Sequence, residues 1–126
     1  MAKIIFCEDE KRIQKLISIM LRASEHEIYI VSDGTEGMEL IERERPALVF
    51  ADVSMPNCDG FQLADHLKSA PHLAHIPIIF MSAFAQQSEI QEGYRHGAAS
   101  YLIKPFNLVE LQAQIERFLL PSHAST

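Results

Sequence analysis

Residues 47–56, Ala-Leu-Val-Phe-Ala-Asp-Val-Ser-Met-Pro, decide how this 126-residue chain is read. Ala47 to Ala51 are all apolar, so neither side of an extended segment is left for water, and the stretch reads as a strand buried on both faces. Asp52 follows at once. Four more short runs share this character: Ile4-Ile5-Phe6, Ile28-Tyr29-Ile30-Val31, Ile78-Ile79-Phe80-Met81 and Tyr101-Leu102-Ile103. All are rich in β-branched or aromatic residues, and none alternates with polar ones as a half-solvated strand does.

Helical periods fill the intervals. Ile13, Leu16, Ile17, Met20 and Leu21 fall at i, i+3, i+4, i+7 and i+8, one apolar stripe on a helix over about 10–23. A second helix, about 35–43, follows an Asp33-Gly34 turn and stops before Pro46. A third, about 60–69, carries Phe61, Leu63, Ala64 and Leu67 and stops before Pro71. The fourth, about 86–96, has only Ile90 and Tyr94 as large apolar residues, with Gly97 as its C′ residue, and is expected to be the least firmly held. In the last, Asn107 and Glu110 make a capping-box pair, Leu108, Leu111, Ile115, Phe118 and Leu119 face inward, and Pro121 ends the helix. Strand and helix alternate five times. That order implies an α/β fold with a single doubly wound, five-stranded parallel sheet, right-handed crossovers and the flavodoxin-like (βα)5 order 2-1-3-4-5. Ligands of such sheets bind beyond the C-terminal ends of the strands, at the switch between strands 1 and 3.

Composition narrows the function. Apolar residues make up 48% of the chain and charged residues 22%, enough for one buried core and unlike a disordered segment. A catalytic domain plus a separate regulatory one does not fit in this length. Seventeen acidic residues against eleven basic ones leave a net charge of −6, which disfavours nucleic acid as a direct ligand. The weakly polar run from Ile76 to Ala85 falls well short of the ~20 residues that span a bilayer, and no signal peptide is apparent before Cys7-Glu8-Asp9-Glu10. Cys7 and Cys58 form no CxxC pair, so Cys7 reads as a small buried hydrophobe and Cys58 as a loop thiol. A cytoplasmic protein that does not contact membrane is expected.

The strand ends carry the chemistry. Strand 1 ends in Glu8-Asp9, strand 3 in Asp52, strand 4 in Ser82 and strand 5 in Lys104-Pro105, and the proposed order brings them to one rim. Three clustered carboxylates repel unless a cation joins them or one pKa rises. Oxygen-only ligation with an open side suits Mg²⁺, with Mn²⁺ as an alternative. Ser82 and Lys104 form an anion-binding pair opposite. A carboxylate between a divalent cation and an ammonium is placed to attack phosphorus, since both cations bind oxygens of a transferring phosphoryl group. Asp52, on the central strand, is that carboxylate.

Taken together, Glu8-Asp9, Asp52-Val53-Ser54-Met55-Pro56 with Asp59-Gly60, Ser82-Ala83 and Lys104-Pro105-Phe106 resemble the receiver domains of two-component response regulators, of the single-domain chemotaxis-regulator kind. The resemblance spans the chain from strand 1 to helix 5. It implies that Asp52 accepts a phosphoryl group from the phosphohistidine of a sensor histidine kinase or phosphotransfer protein. Asp9 would bind Mg²⁺ directly, Glu8 through water, and the Ser54 backbone carbonyl would add a ligand. Ser82 would hydrogen-bond the phosphoryl oxygen, Tyr101 would turn inward behind it, and Lys104 would pair with the phosphate. The Lys104-Pro105 bond would be cis. Ser54 and Phe84, each two residues beyond a site residue, would flank the attacking water and set the phosphoryl lifetime, with Phe84 slowing hydrolysis by crowding. Glu8 stands where the family often has aspartate, which leaves the chemistry unchanged and alters metal affinity.

On that reading the chain is no enzyme beyond catalysing its own phosphorylation and dephosphorylation. Phosphorylation would switch the helix 4, strand 5, helix 5 surface toward a downstream protein or an output domain, in a monomer or a phosphorylation-dependent dimer. Residues 1–121 would be the receiver domain and 122–126 a short polar tail, either as a complete regulator or as part of a longer protein. A haloacid-dehalogenase-type phosphatase needs a second aspartate where Ser54 stands. A flavin carrier needs hydroxyls and amides where Glu8-Asp9-Glu10 stands. A pseudo-receiver would not need Asp9, Asp52, Ser82 and Lys104 together. Taken singly, Glu8-Asp9 reads equally as a capping or solvated pair, Ser82 as a capping hydroxyl and Tyr101 as a plain strand aromatic. His72 and His75, near His66, lack a closed ligand set and read as exposed loop histidines. Arg43 and Arg45, interleaved with Glu42 and Glu44, form a solvated helix end.

Overall fold

A computed structural model of the chain describes residues 2–83 and 86–119. Five strands, β1 (Lys3–Cys7), β2 (Glu27–Val31), β3 (Leu48–Asp52), β4 (Ile78–Ser82) and β5 (Ser100–Ile103), alternate with five helices, α1 (Lys11–Met20), α2 (Gly34–Glu44), α3 (Gly60–Ser69), α4 (Gln87–Arg95) and α5 (Leu108–Leu119). The strands are parallel in the order β2-β1-β3-β4-β5. This is the expected doubly wound sheet. Phe84, Pro121 and the 122–126 tail lie outside the described residues.

Side-chain alternation along the buried strands divides the interior in two. Ile4, Phe6, Leu48, Phe50, Ile79, Met81 and Leu102 point to the face covered by Ile17 and Leu21 of the α1 segment and by Leu111 and Ile115 of α5. Ile5, Cys7, Val49, Ala51, Ile78 and Phe80 point to the opposite face, under Leu40 and Ile41 of α2 and Leu63, Ala64 and Leu67 of α3. Phe6 and Phe50, register partners on β1 and β3, stack with centroids 4.6 Å apart. Both are fully buried, each contributing about 2–3 kcal/mol relative to exposure.

Several local expectations need correction. The apolar stripes of α1 and α5 are wider than the surfaces they cover, so Leu16 and Leu108, at the stripe edges, remain 37% exposed. Helix α1 ends at Met20, where Leu21 and Arg22 turn their amides toward Ile17 and Ile19 carbonyls. Asp33-Gly34 is a helix start rather than a separate turn: the Asp33 side chain accepts from Glu36 N at 2.8 Å and Gly34 opens α2. Cys58, in the loop after β3, is buried against the α2–α3 core. The Asn107–Glu110 capping pair forms in both directions, Gly97 follows α4 with φ +99°, and Gly93 is the one buried residue of α4.

Gly34 is where backbone meets backbone. A Cβ there would lie 1.7 Å from the Cys58 carbonyl oxygen. Gly34→Ala should therefore lose about 2 kcal/mol by overpacking, despite a helix-propensity gain of about 1 kcal/mol. Urea unfolding checks this; unchanged or increased stability would contradict the packing.

Candidate functional site

Strand register builds the site. Cys7 pairs with Ala51 and Asp52 with Met81, so the residues just past β1, β3 and β4 share one rim of the sheet. Alternation then sorts them by face. Phe6 and Phe50 point toward α1 and α5; two residues further on, Glu8 and Asp52 continue on that side, as does Lys104 two residues after Leu102. Ser82 and Tyr101 continue the other parity, toward α3 and α4.

The contacts follow this division. Lys104 Nζ lies 2.8 Å from Glu8 Oε1, hydrogen-bonds Asp52 Oδ2, and is 4.0 Å from Glu10 Oε1. Glu8, Asp9 and Asp52 each place a carboxylate oxygen within 4.8 Å of the others, the one such group of His, Cys, Asp or Glu side chains among the described residues. Glu8 is fully buried. Its Oε2 accepts from the Glu10 amide at 2.9 Å, and Oε1 faces the Lys104 ammonium at 2.8 Å. The Ser54 amide donates to Asp52 Oδ1 at 3.1 Å. The Lys104–Pro105 bond is cis.

Burial pushes the Glu8 carboxyl up to about 7, against the opposing pull of Lys104 and the Glu10 amide and with help from the charge on Asp52. Burial also works against the Lys104 ammonium, but its hydrogen bonds to Asp52 and Glu8 outweigh this and raise its pKa. The site thus holds an excess of negative charge that a single ammonium does not neutralise.

On the other side, Ser82 ends β4 almost fully buried, and its carbonyl accepts from the Lys104 amide at 2.8 Å. Tyr101, half-buried, meets the Phe80 ring edge-on, with centroids 6.0 Å apart, and lines the same cavity as Ser82. Burial raises the Tyr101 phenol, while the Ser82 side chain pulls it the other way. A cavity lined by Val53, Phe61, Ser82, Glu89, Glu92 and Tyr101 adjoins this pair.

Two participants were not apparent in the sequence. Gln14, on α1, donates to the Glu8 backbone carbonyl at 2.5 Å and to Ser32 Oγ at 3.1 Å, tying the helix to the end of β1. Glu10 adds its amide and its carboxylate; as the third acid of the Glu8-Asp9-Glu10 run it carried a signal, whereas Gln14 carried none. The histidines remain apart from this cluster: His75 is exposed, and His72 Nε2 pairs with Glu42 at 2.8 Å. Arg43 and Arg45 pair with Glu44 and Glu42 at the end of α2.

Similarity to known proteins agrees with this geometry. A family profile described as response regulator receiver domain matches residues 4–116. The transcriptional regulatory protein RprY of Bacteroides fragilis is 36% identical over 117 residues, covering 93% of this chain and 49% of that protein. The chain spans about half the length of the first curated relatives it matches. Among solved structures, chemotaxis protein CheY4 of Vibrio cholerae superposes with a TM-score of 0.87 at 28% identity, covering 94% of this chain and 99% of that one. The receiver domain of sensor histidine kinase PA1611 from Pseudomonas aeruginosa, with a magnesium ion coordinated in its active-site cleft, gives 0.85 at 29% identity and covers 93% and 96%. Matched along almost its whole length in sequence and in fold, the chain belongs to the response regulator receiver domain family, whose general function is phosphotransfer and switching in two-component systems.

Proposed function

We propose that Asp52 is the phosphoryl acceptor, served by Mg²⁺ at Glu8, Asp9 and Asp52 and by Lys104 and Ser82. The observation that carries this reading is the convergence of three carboxylate oxygens and one ammonium from strand ends that are distant in sequence. The donor set fits the ion. It consists of oxygens alone, from three carboxylates whose charge one ammonium does not neutralise, as suits a hard divalent cation, Mg²⁺ or Mn²⁺. The Ser54 backbone carbonyl would complete the protein's share. When bound, the ion supplies positive charge against the carboxylates and the phosphoryl oxygens.

Asp52 supplies the nucleophile. One of its carboxylate oxygens forms the bond to phosphorus as the phosphorus–nitrogen bond of a kinase or phosphotransfer-protein phosphohistidine breaks, the histidine nitrogen keeping the electron pair. Lys104 exchanges its contact with the carboxylate for one with the phosphoryl oxygens while remaining beside Glu8. Ser82 moves toward the new anion and Tyr101 follows, which biases α4, β5 and α5 toward a second arrangement. A cytoplasmic kinase partner and a downstream protein or output domain complete the proposal. Dephosphorylation by water would pass Ser54 and Phe84, and Phe84→Ala should shorten the phosphoryl lifetime severalfold; an unchanged decay rate would remove Phe84 from that role.

Incubation with acetyl phosphate and Mg²⁺ should add one phosphoryl group per chain by intact-mass measurement, and none to Asp52→Asn. Modification that persists in the variant would overturn the assignment. Mg²⁺ should raise the melting temperature by preferential binding to the folded form. Asp52→Asn should stabilise the metal-free protein by about 1 kcal/mol, or about 4 °C, by removing one of three crowded negative charges. Scanning calorimetry checks both; a protein indifferent to Mg²⁺ would contradict the site.

A further inference from the structure

Helix α4 buries only Gly93 and leaves Tyr94 49% exposed, so few apolar contacts hold it. At its C-terminal cap, His96 reaches α3. Its ring stacks on Phe61 with centroids 4.5 Å apart and planes within 7°. Nδ1 is 2.7 Å from Asp65 Oδ1, and Nε2 is 3.1 Å from Glu92 Oε2. Both ring nitrogens therefore face carboxylate oxygens, which only accept. A neutral imidazole carries one N–H and can serve one of them, whereas the imidazolium donates to both.

We propose that His96 is a proton-operated clamp that fastens the C-terminal end of α4 to α3 and loosens as pH rises. The charged groups around it are few. Asp65 faces it from α3 and Glu92 from α4. Arg95 takes the other oxygen of Glu92 at 2.5 Å, which leaves Oε2 for the histidine. The Lys68 stem lies against Gly97 while its ammonium donates to the Ala74 carbonyl at 3.3 Å. The hydrogen bond with Asp65 raises the His96 pKa above its ordinary 6.5 more than burial lowers it, and Glu92 adds to the rise. A raised value in the folded state means the clamp is complete in acid and lost as pH climbs through the folded pKa.

The clamp adjoins the switch side of the site. From His96 the contacts run to Phe61, then to Phe80 at 5.3 Å, then to Tyr101 and Ser82. Its operation does not depend on phosphorylation of Asp52, and its test is separate. In the full chain, NMR titration should give His96, assigned through His96→Gln, a midpoint above the ordinary value that falls by about half a unit or more, about threefold in proton affinity, in Asp65→Asn. Amide exchange across Gln87–Arg95, corrected for its intrinsic pH dependence, should show less protection at about pH 8.5 than at about pH 5.5 in the unmodified protein, and no such difference in His96→Gln. Asp65 is exposed, so Asp65→Asn carries the exchange test should His96→Gln not fold. An ordinary His96 midpoint that is indifferent to Asp65→Asn, or an identical pH course of α4 protection in the variants, would overturn the clamp.

Discussion

One ammonium placed between two carboxylates governs this molecule. Lys104 comes from the end of β5, Glu8 from the end of β1 and Asp52 from the end of β3, and their meeting follows from a parallel sheet in which β3 is central. A fully buried carboxylate such as Glu8 loses several kcal/mol of hydration on folding unless a cation compensates. Lys104 compensates for part of this, but Asp52 and Asp9 stand in the same few ångströms. The fold therefore gathers more negative charge than one ammonium offsets.

The two faces of the sheet divide the labour. Alternation places the acid–lysine cluster over α1 and α5, and places Ser82 with Tyr101 toward α3 and α4. The strand ends are thin, so the two groups are one backbone apart: the Lys104 amide donates to the carbonyl of Ser82. On the proposed reading, a change of charge at Asp52 would thus reach a residue that faces the other layer. There it meets α4, whose one buried residue, Gly93, lies against Phe80 and Tyr101 and which His96 ties to α3. On the proposed reading, α4 beside Ser82 is the element that would take a second arrangement, as switching requires.

Much of this was legible in the residues. Runs such as Leu48 to Ala51 read as strands covered on both sides, and acids directly after them fall on the rim by topology; Ile28–Val31, read the same way, is only half-buried because β2 is an edge strand. Less legible was anything that depends on the width of a contact. Leu16 and Leu108 match the helical period yet stay 37% exposed, because period reports which way a side chain points and not how far its neighbour extends. Cys58 lies in a polar loop but is buried by the close approach of Gly34, which only the fold supplies. Gln14 and His96 act through partners brought near by tertiary packing, His96 with Asp65 thirty-one residues away. No local pattern encodes such pairs.

The central claim concerns one oxygen of Asp52, and a crystal structure grown with Mg²⁺ and beryllofluoride, which mimics an aspartyl phosphate, tests it most directly. In that crystal a trifluoroberyllate group should be bonded to the Asp52 carboxylate, with Lys104 Nζ and Ser82 Oγ on its fluorines and the ion held by Asp9 and Asp52 oxygens, Glu8 reaching it through water. A group bonded to any other side chain, or an ion held without Asp9 and Asp52, would contradict that claim.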